Sequence, residues 1–203
     1  MSVIQSIEQL ESMYNKPGIR ASNKSLTALD KHCRRFIDLS PFVIISSVGS
    51  NGDLDCSPRG GAPGVVTVLD DKTILMPDRP GNNRLDSFHN LIETGKIGLL
   101  FLVPGIDETL RLNGSVELRT DSELLEKCIE QDKQPKLVVY VKVEEVFLHC
   151  AKALMRSKLW SDESRVERNV MPTMGKMLKE QLQSEDPAET QEDMIKRYEK
   201  SLY

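Results

Sequence analysis

What the chain lacks narrows its function before any motif is read. No stretch reaches the roughly 18 apolar residues that a membrane span needs. The opening Met-Ser-Val-Ile-Gln-Ser-Ile-Glu has no basic start followed by an apolar run, so it does not read as a secretory leader. The expected address is the cytoplasm, with no membrane partner. Aromatic residues are only 5% of the chain, never interleave with Lys and Arg, and accompany a net charge of −4, which argues against a nucleic-acid partner. The four cysteines, Cys33, Cys56, Cys128 and Cys150, include no Cys-x-x-Cys pair. That removes the common zinc and iron–sulfur spacings and implies no disulfide framework at this size. Of the three histidines, His32 and His89 fall on expected helices. Repeats and low-complexity tracts are missing.

What is present describes a soluble globular protein: 203 residues, 39% hydrophobic and 29% charged. This suits one domain with a sizeable core, or one domain plus a helical extension. Val3, Ile7, Leu10 and Met13 or Tyr14 recur at helical spacing before Pro17-Gly18. A second helix is expected after Ser22 or Asn23, with Leu26, Leu29, Cys33, Phe36 and Ile37 as its apolar stripe. From Phe42 the period changes. Phe42–Val48 and Leu54–Arg59 read as strands around the turn Ser50-Asn51-Gly52-Asp53. Val65–Leu69 and Thr73–Met76 form a second pair, a helix covers 84–93, and the apolar run Ile97–Val103 reads as a strand buried on both faces. Thr109–Arg119 contains Asn113-Gly114, which fits either a hairpin turn or a glycine bulge in one bent strand. A helix over 122–131, with Leu124, Leu125, Cys128 and Ile129 inward, precedes the last strand, Leu137–Leu148. Further helices are expected at 152–160, 170–183 and 187–200, the last capped by Asp186 with Glu189 completing a capping box. Hairpin-linked strands before the first long helix indicate an antiparallel barrel with helices, not a doubly wound sheet.

Thr73 to Arg84, Thr-Ile-Leu-Met-Pro-Asp-Arg-Pro-Gly-Asn-Asn-Arg, organises the rest. A strand-length run breaks at Pro77, turns at Pro80-Gly81 and opens an amphipathic helix. Outward N–H groups, the positive helix end and a guanidinium suit a phosphate; an ordinary capped strand–turn–helix would share the pattern. Arg59, Arg79, Arg84 and Arg111 all fall near strand ends or turns, where a barrel mouth would gather them. Asp78, Asp107 and Glu108 lie among them and are available as ion-pair partners.

Three blocks carry a resemblance: Cys-Ser-Pro-Arg-Gly, Leu-Met-Pro-Asp-Arg-Pro-Gly-Asn-Asn-Arg-Leu-Asp and Gly-Leu-Leu-Phe-Leu-Val-Pro-Gly-Ile-Asp-Glu-Thr-Leu-Arg-Leu-Asn-Gly. In this order and spacing they resemble a subgroup of the pyridoxamine 5′-phosphate oxidase-like proteins, over about residues 20–160. The resemblance implies an FMN-binding split β-barrel, antiparallel, at 21–150, with an N-terminal helix at 1–20 and a helical extension at 151–203. It implies phosphate ligands at Ser57 and Arg59, where one strand ends, and at Asn82, Asn83, Arg84 and Ser87. Arg84 and Ser87 compete for the inner position. The flavin ring would lie along the backbone of Met76, Pro77 and Asp78. Thr109 and Arg111 would reach the ring of the facing subunit, so a homodimer is implied. The chemistry of FMN agrees: arginines and a helix start for the phosphate, Asn and Ser for the ribityl chain, Met and Pro beside the ring.

Lys152, Arg156 and Trp160 follow at i, i+4 and i+8, on one helical face that would close over the flavin and bind an anionic small-molecule substrate. A tryptophan packed on the barrel beside two solvated cations is the plainer alternative. The true oxidase holds pyridoxine with an Arg-x-His segment near its C-terminus. No histidine follows His149 here, so that substrate is not expected. The expected activity is an FMN-dependent oxidoreductase acting on an unidentified small molecule. The rivals are a flavin-binding module without turnover and a deazaflavin or haem protein on the same fold, with His149 as the axial ligand for haem.

Overall fold

The structure, a computed structural model, describes residues 3–200 and Leu202. Met1, Ser2, Ser201 and Tyr203, the outer ends of the expected 1–20 and 151–203 segments, lie outside the described residues. The strands are β1 (Phe42–Val48), β2 (Leu54–Gly60), β3 (Thr67–Asp70), β4 (Thr73–Pro77), β5 (Lys96–Leu102), β6 (Thr109–Arg119) and β7 (Val138–His149). The helices are α1 (Ile7–Glu11), α2 (Ile19–Ser22), α3 (Lys31–Leu39), α4 (Asp86–Thr94), α5 (Ser122–Glu126), α6 (Lys152–Ser157), α7 (Met174–Leu182) and α8 (Gln191–Glu199).

All strand pairs are antiparallel, in the order β2-β1-β5-β6-β7-β4-β3. β2 and β3 follow one another in sequence yet occupy opposite edges of the sheet. The linker between them doubles back along the start of β1, with Gly61 N donating to Pro41 O at 3.1 Å and Gly64 N to Ser40 O at 3.1 Å. The expected antiparallel barrel with helices is present, and it is split at the β2–β3 seam.

Strand alternation explains the core. Val43 and Ile45 of β1, Ile97, Leu99 and Phe101 of β5, Leu110 and Leu112 of β6, and Ile74 and Met76 of β4 point inward. Phe36 and Ile37 of α3 and Phe88 and Leu91 of α4 close over them. β4 is buried on both faces because Leu75 points the other way, into a smaller cluster with Cys128 and Val138 under α5. β5 corrects an expectation. Its inner residues are buried, but Gly98, Leu100 and Leu102 stay half-exposed on the outer face. Its apolar run reads as two-sided because that outer face is apolar too, beside Ile44 and Phe42 of β1 in register.

Asn113-Gly114 is no hairpin turn. β6 continues through it, and the register steps from Asn113↔Glu145 to Gly114↔Val143, which leaves Glu144 as the extra residue on β7. A Cβ on Gly114 would lie 2.2 Å from the Lys142 carbonyl oxygen, so the close approach demands glycine.

The helices differ most from expectation at their ends. The second starts at Lys31, not after Ser22, because Asp30 accepts from His32 N and Cys33 N at 3.0 and 2.8 Å. Leu26 instead bridges Val146, covering the part of β7 that β4 leaves open. α1 is shorter than 3–14, and its apolar residues are exposed; with nothing to pack on, a short helix does not propagate. The 122–131 helix stops at Glu126, and Ile129 is exposed, not inward. Near the C-terminus, Thr173 caps α7, and Thr190 caps α8 in place of Asp186, while Glu189 pairs with Arg197 at 2.8 Å. Gly175 of α7 meets the backbone leading into α8, where a Cβ would sit 2.1 Å from Glu189 O.

The Cys33 N–H holds the Asp30 carboxyl below its ordinary value. Asp30→Ala should cost about 1 kcal/mol at neutral pH in urea unfolding, as the loss of an N-cap ordinarily does. Because the folded value is lowered, the benefit is full above about pH 4, the ordinary carboxylate range, and fades as pH falls through the folded value. The gap between wild type and variant should therefore narrow in acid.

Candidate functional site

β2 breaks the alternation that its neighbours obey. Asp55, Ser57 and Arg59 sit opposite Ser47, Ile45 and Val43 of β1, which face inward. β2 thus turns its polar side chains toward the core side and leaves Leu54, Cys56 and Pro58 exposed. Such inversion on an edge strand is a local rule broken, and broken rules concentrate at functional positions. Arg59 Nη1 donates to Ser57 Oγ at 2.5 Å and to Pro58 O at 2.8 Å. Burial lowers the pKa of the Arg59 guanidinium, and Asp78 and Asp55 oppose that shift. Arg59 belongs to one edge region of the sheet and Asp78 follows β4 near the other, so their interaction marks where the split barrel comes together.

α4 begins beside this cluster. Its N-cap position is Leu85, in the left-handed region at φ 63°, with no side-chain cap hydrogen bond, and Asn83 is also left-handed at φ 59°. A leucine there is strained, at a cost of order 1–3 kcal/mol. The first turn therefore presents N–H groups that no capping side chain occupies. The surroundings are fixed from three sides. Ser87 Oγ donates to Asp55 Oδ2 at 2.5 Å, Asn90 Nδ2 donates to Ser47 Oγ at 3.1 Å, and Glu93 accepts from Ser50 N at 2.9 Å. Arg84 is 73% exposed and pairs with Asp86 at 2.8 Å, while its own N–H donates to Asn82 Oδ1 at 3.1 Å.

β4 supplies the adjoining wall. β3 begins only at Thr67, opposite Leu75, so from Met76 onward the β4 backbone has no strand on that side. The Met76 side chain is in the core; only its backbone is placed for a ligand. Asp78 N donates to Leu137 O at 3.0 Å. Burial raises the pKa of the Asp78 carboxyl, opposed by Arg59, Lys136 and Arg79. Beside Pro77 lies a cavity of about 160 Å³, edged by Thr67, Arg79 and Glu130.

The four strand-end arginines do not meet at one mouth. Arg59 turns to Ser57, Arg79 pairs with Glu130, Arg84 with Asp86, and Arg111 stacks over Phe147 at 5.2 Å. Arg111 and Thr109 lie across β5 and β1 from β2, away from Arg59 within the protomer. Lys24 also approaches the Phe147 ring, at 4.6 Å. His149, opposite Thr109, has a buried Nδ1 with no hydrogen-bond partner among the described residues. Lys152 and Arg156 are exposed on α6. The helix ends at Ser157 with Lys158 left-handed, so Trp160 leaves their face and donates from Nε1 to Ile106 O at 2.9 Å. Trp160 lines an open groove of about 550 Å³ with Leu154, Met155 and Asp107. Sequence reading missed Asp55, although its i, i+2, i+4 spacing with Ser57 and Arg59 marks one strand face. The strain at Leu85 had no signal in the sequence.

A family model described as pyridoxamine 5′-phosphate oxidase matches residues 29–150, the span that contains every strand of the sheet and α4. The chain belongs to this family. No relative is found among curated proteins. Among solved structures, HupZ of Group A Streptococcus is 19% identical, with 59% of this chain and 93% of that one covered at a TM-score of 0.49. A Lactobacillus delbrueckii protein provisionally assigned as a pyridoxamine 5′-phosphate oxidase is 21% identical, covering 61% and 98% at 0.47. HutZ, the haem storage protein of Vibrio cholerae, is 8% identical, covering 59% and 94% at 0.41. At these scores the likenesses say nothing of this chain's ligand. Among the described residues no helix is long and apolar enough to cross a membrane, and no group of three or more His, Cys, Asp or Glu is placed to hold a metal ion.

The raised Asp78 value has a measurable consequence. A carboxyl whose folded pKa is raised favours folding below its unfolded value and loses that advantage as pH rises through the folded one. At neutral pH its half-buried charge is a cost, so Asp78→Asn should raise the urea midpoint. The gain should shrink below about pH 4, where the wild-type carboxyl is protonated as well.

Proposed function

We propose that this family member binds FMN at the seam between β2, β4 and α4 and acts as an FMN-dependent oxidoreductase on a small molecule. The single observation carrying the reading is the start of α4: a strained, uncapped first turn set beside the inward polar face of β2. An anionic ester placed there meets free N–H groups, the positive end of the helix dipole and the nearby Arg84 guanidinium. The donor set fits a phosphate. Ser87, Asn82 and Asn83 offer the hydroxyl and amide groups that a ribityl chain needs, and Arg59 and Ser57 form the floor. Asp55 and Asp78 limit how much negative charge the floor accepts, which favours the helix start over Arg59 as the phosphate position. The β4 backbone from Met76 to Asp78 is free to meet the polar edge of a flat ring.

Bound FMN supplies two-electron redox chemistry. The chain's own part is to hold the phosphate, to aim the ring edge at backbone groups, and to keep water from one ring face with the apolar wall at Pro77. The balance of charge between Arg59 and Asp78 is not required to move a proton in this reading. Turnover needs a donor and an acceptor, and Lys152 and Arg156 remain the proposed anion-facing residues for the substrate, with Trp160 anchoring the segment that carries them.

We also propose a homodimer. The outer sheet face joins Phe42, Ile44, Leu100 and Leu102, an apolar patch that the protomer leaves half-exposed, and Thr109 and Arg111 continue the same face. A second copy seated there would bring those two residues toward the partner's flavin. A second reading has its own support: Nδ1 of His149, buried and without a hydrogen-bond partner among the described residues, is a nitrogen that haem iron can take.

Purified protein should absorb near ~370 and ~450 nm with FMN bound; a Soret band instead would favour haem at His149. Arg84→Ala should weaken FMN binding about tenfold or more, as loss of a charge-assisted phosphate contact does, measured by quenching of flavin fluorescence. Unchanged affinity would remove Arg84 from the site. Phe42→Glu should convert a dimer into monomers in light scattering and release flavin with it, whereas a wild-type monomer would refute the shared site.

A further inference from the structure

Apart from Pro77, which borders the proposed ring position, the cavity beside it is walled by groups that the cofactor reading leaves unused. Its floor is Gly64, Val65 and Thr67, where the linker enters β3, and its roof is Lys127 to Glu130, after α5. It lies where β3 would continue if that strand were longer, against the unpaired edge of β4. Arg79, 18% exposed in its side chain, reaches the roof and pairs with Glu130, which is 25% exposed. Both partners are more buried than those of the Arg34–Asp71 pair, at 35% and 70%. The Arg79–Glu130 pair thus has the shelter of an interior contact, yet it sits on a cavity wall instead of in packed core.

The roof is held in an unusual way. Glu130 N donates to Lys133 O at 3.2 Å and Lys133 N to Glu130 O at 2.9 Å, closing a two-residue turn. The turn residues, Gln131 and Asp132, are left-handed at φ 46° and 60°, a conformation that glycine and asparagine adopt far more readily. A strained turn therefore presents a carboxylate to a guanidinium at the mouth of a small polar cavity. With Arg79 and Lys127 against Glu130, the lining carries more positive than negative charge. Asp78, next to Arg79 in the chain, faces Arg59 and Lys136 as well.

We propose that this cavity is a subsite for the carboxylate of a small anionic substrate, which takes the place of the Glu130 carboxylate on Arg79. The guanidinium fork accepts one carboxylate as readily as another, and Glu130 is an internal carboxylate that occupies this side of Arg79 until the substrate arrives. A volume of about 160 Å³ has room for several waters, and for a carboxylate with two or three carbons. Released from Arg79, Glu130 swings to solvent, and the strained 131–132 turn is free to relax. Calling the ligand a substrate rests on the flavin reading above; binding of the carboxylate does not.

The test uses propionate as the probe and propylammonium as the control, on the full chain without added FMN. In the wild-type protein, the Arg79 Nε–H resonance should shift saturably with propionate, with a Kd in the millimolar range, and should not respond to propylammonium. Glu130→Gln, which keeps the shape and removes the competing charge, should tighten propionate about tenfold. Arg79→Gln should abolish the response. FMN affinity, measured separately by fluorescence, should be unchanged in Glu130→Gln. A linear, unsaturated shift in wild type, or equal propionate affinity in wild type and Glu130→Gln, overturns the subsite and leaves the pair as a structural contact. Loss of FMN binding with propionate binding intact would instead refute the flavin reading alone.

Discussion

The arrangement depends on one constraint: β2 must run beside apolar β1 while carrying Asp55, Ser57 and Arg59 on the same side as Val43 and Ile45. Three half-buried polar side chains on the core side of the sheet need partners. They are satisfied from both ends of the split. Ser87 at the start of α4 serves Asp55, Arg59 serves Ser57, and Asp78 beyond β4 offsets the buried guanidinium. The seam is therefore held by hydrogen bonds and charge where an ordinary barrel would be held by a strand ladder. A seam of that kind can admit a polar ligand without opening the apolar core, because the groups that would greet the ligand are already there.

The rest of the sheet gives that seam its rigidity. β2, β1, β5, β6 and β7 form a continuous antiparallel ladder, and α4 is tied to it at both ends, by Ser87 to β2 and by Glu93 to the turn after β1. Fixing both ends of a nine-residue helix sets the direction of its dipole and keeps Leu85 in a conformation it would otherwise avoid. The strain is local and is offset by the packing of Phe88 and Leu91 into the core.

Much of this was legible in the sequence, and the reasons are particular. The strands could be read because Val, Ile, Leu and Phe alternate or run together between clear turns, and the blocks around Arg59 and Asn82-Asn83-Arg84 placed the chain in its family. Asn113-Gly114 could not be decided from local preference, since the answer lies in Lys142, a residue from the next strand that crowds Gly114. β5 misled because burial was inferred from composition, whereas Leu100 and Leu102 face a surface that this chain alone does not cover. The arginines misled in the opposite direction. Their positions at strand ends were right, but each found a separate partner, and side-chain pairing leaves no periodic trace. The C-terminal helices were found, yet the cap of the last one moved from Asp186 to Thr190, whose hydroxyl accepts from Asp193 N beside the first turn.

The small cluster of Leu75, Cys128 and Val138 under α5 is separate from the main core, and that separation sets a hierarchy of openings. So few buried residues hold far less free energy than the barrel beneath them, so the segment from α5 to Lys136 is able to detach and rejoin as a unit while β6 and β7 stay zipped. Amide protons at Cys128 and Lys133 then exchange with solvent at a rate set by that small unit, on a clock independent of the one that governs global unfolding.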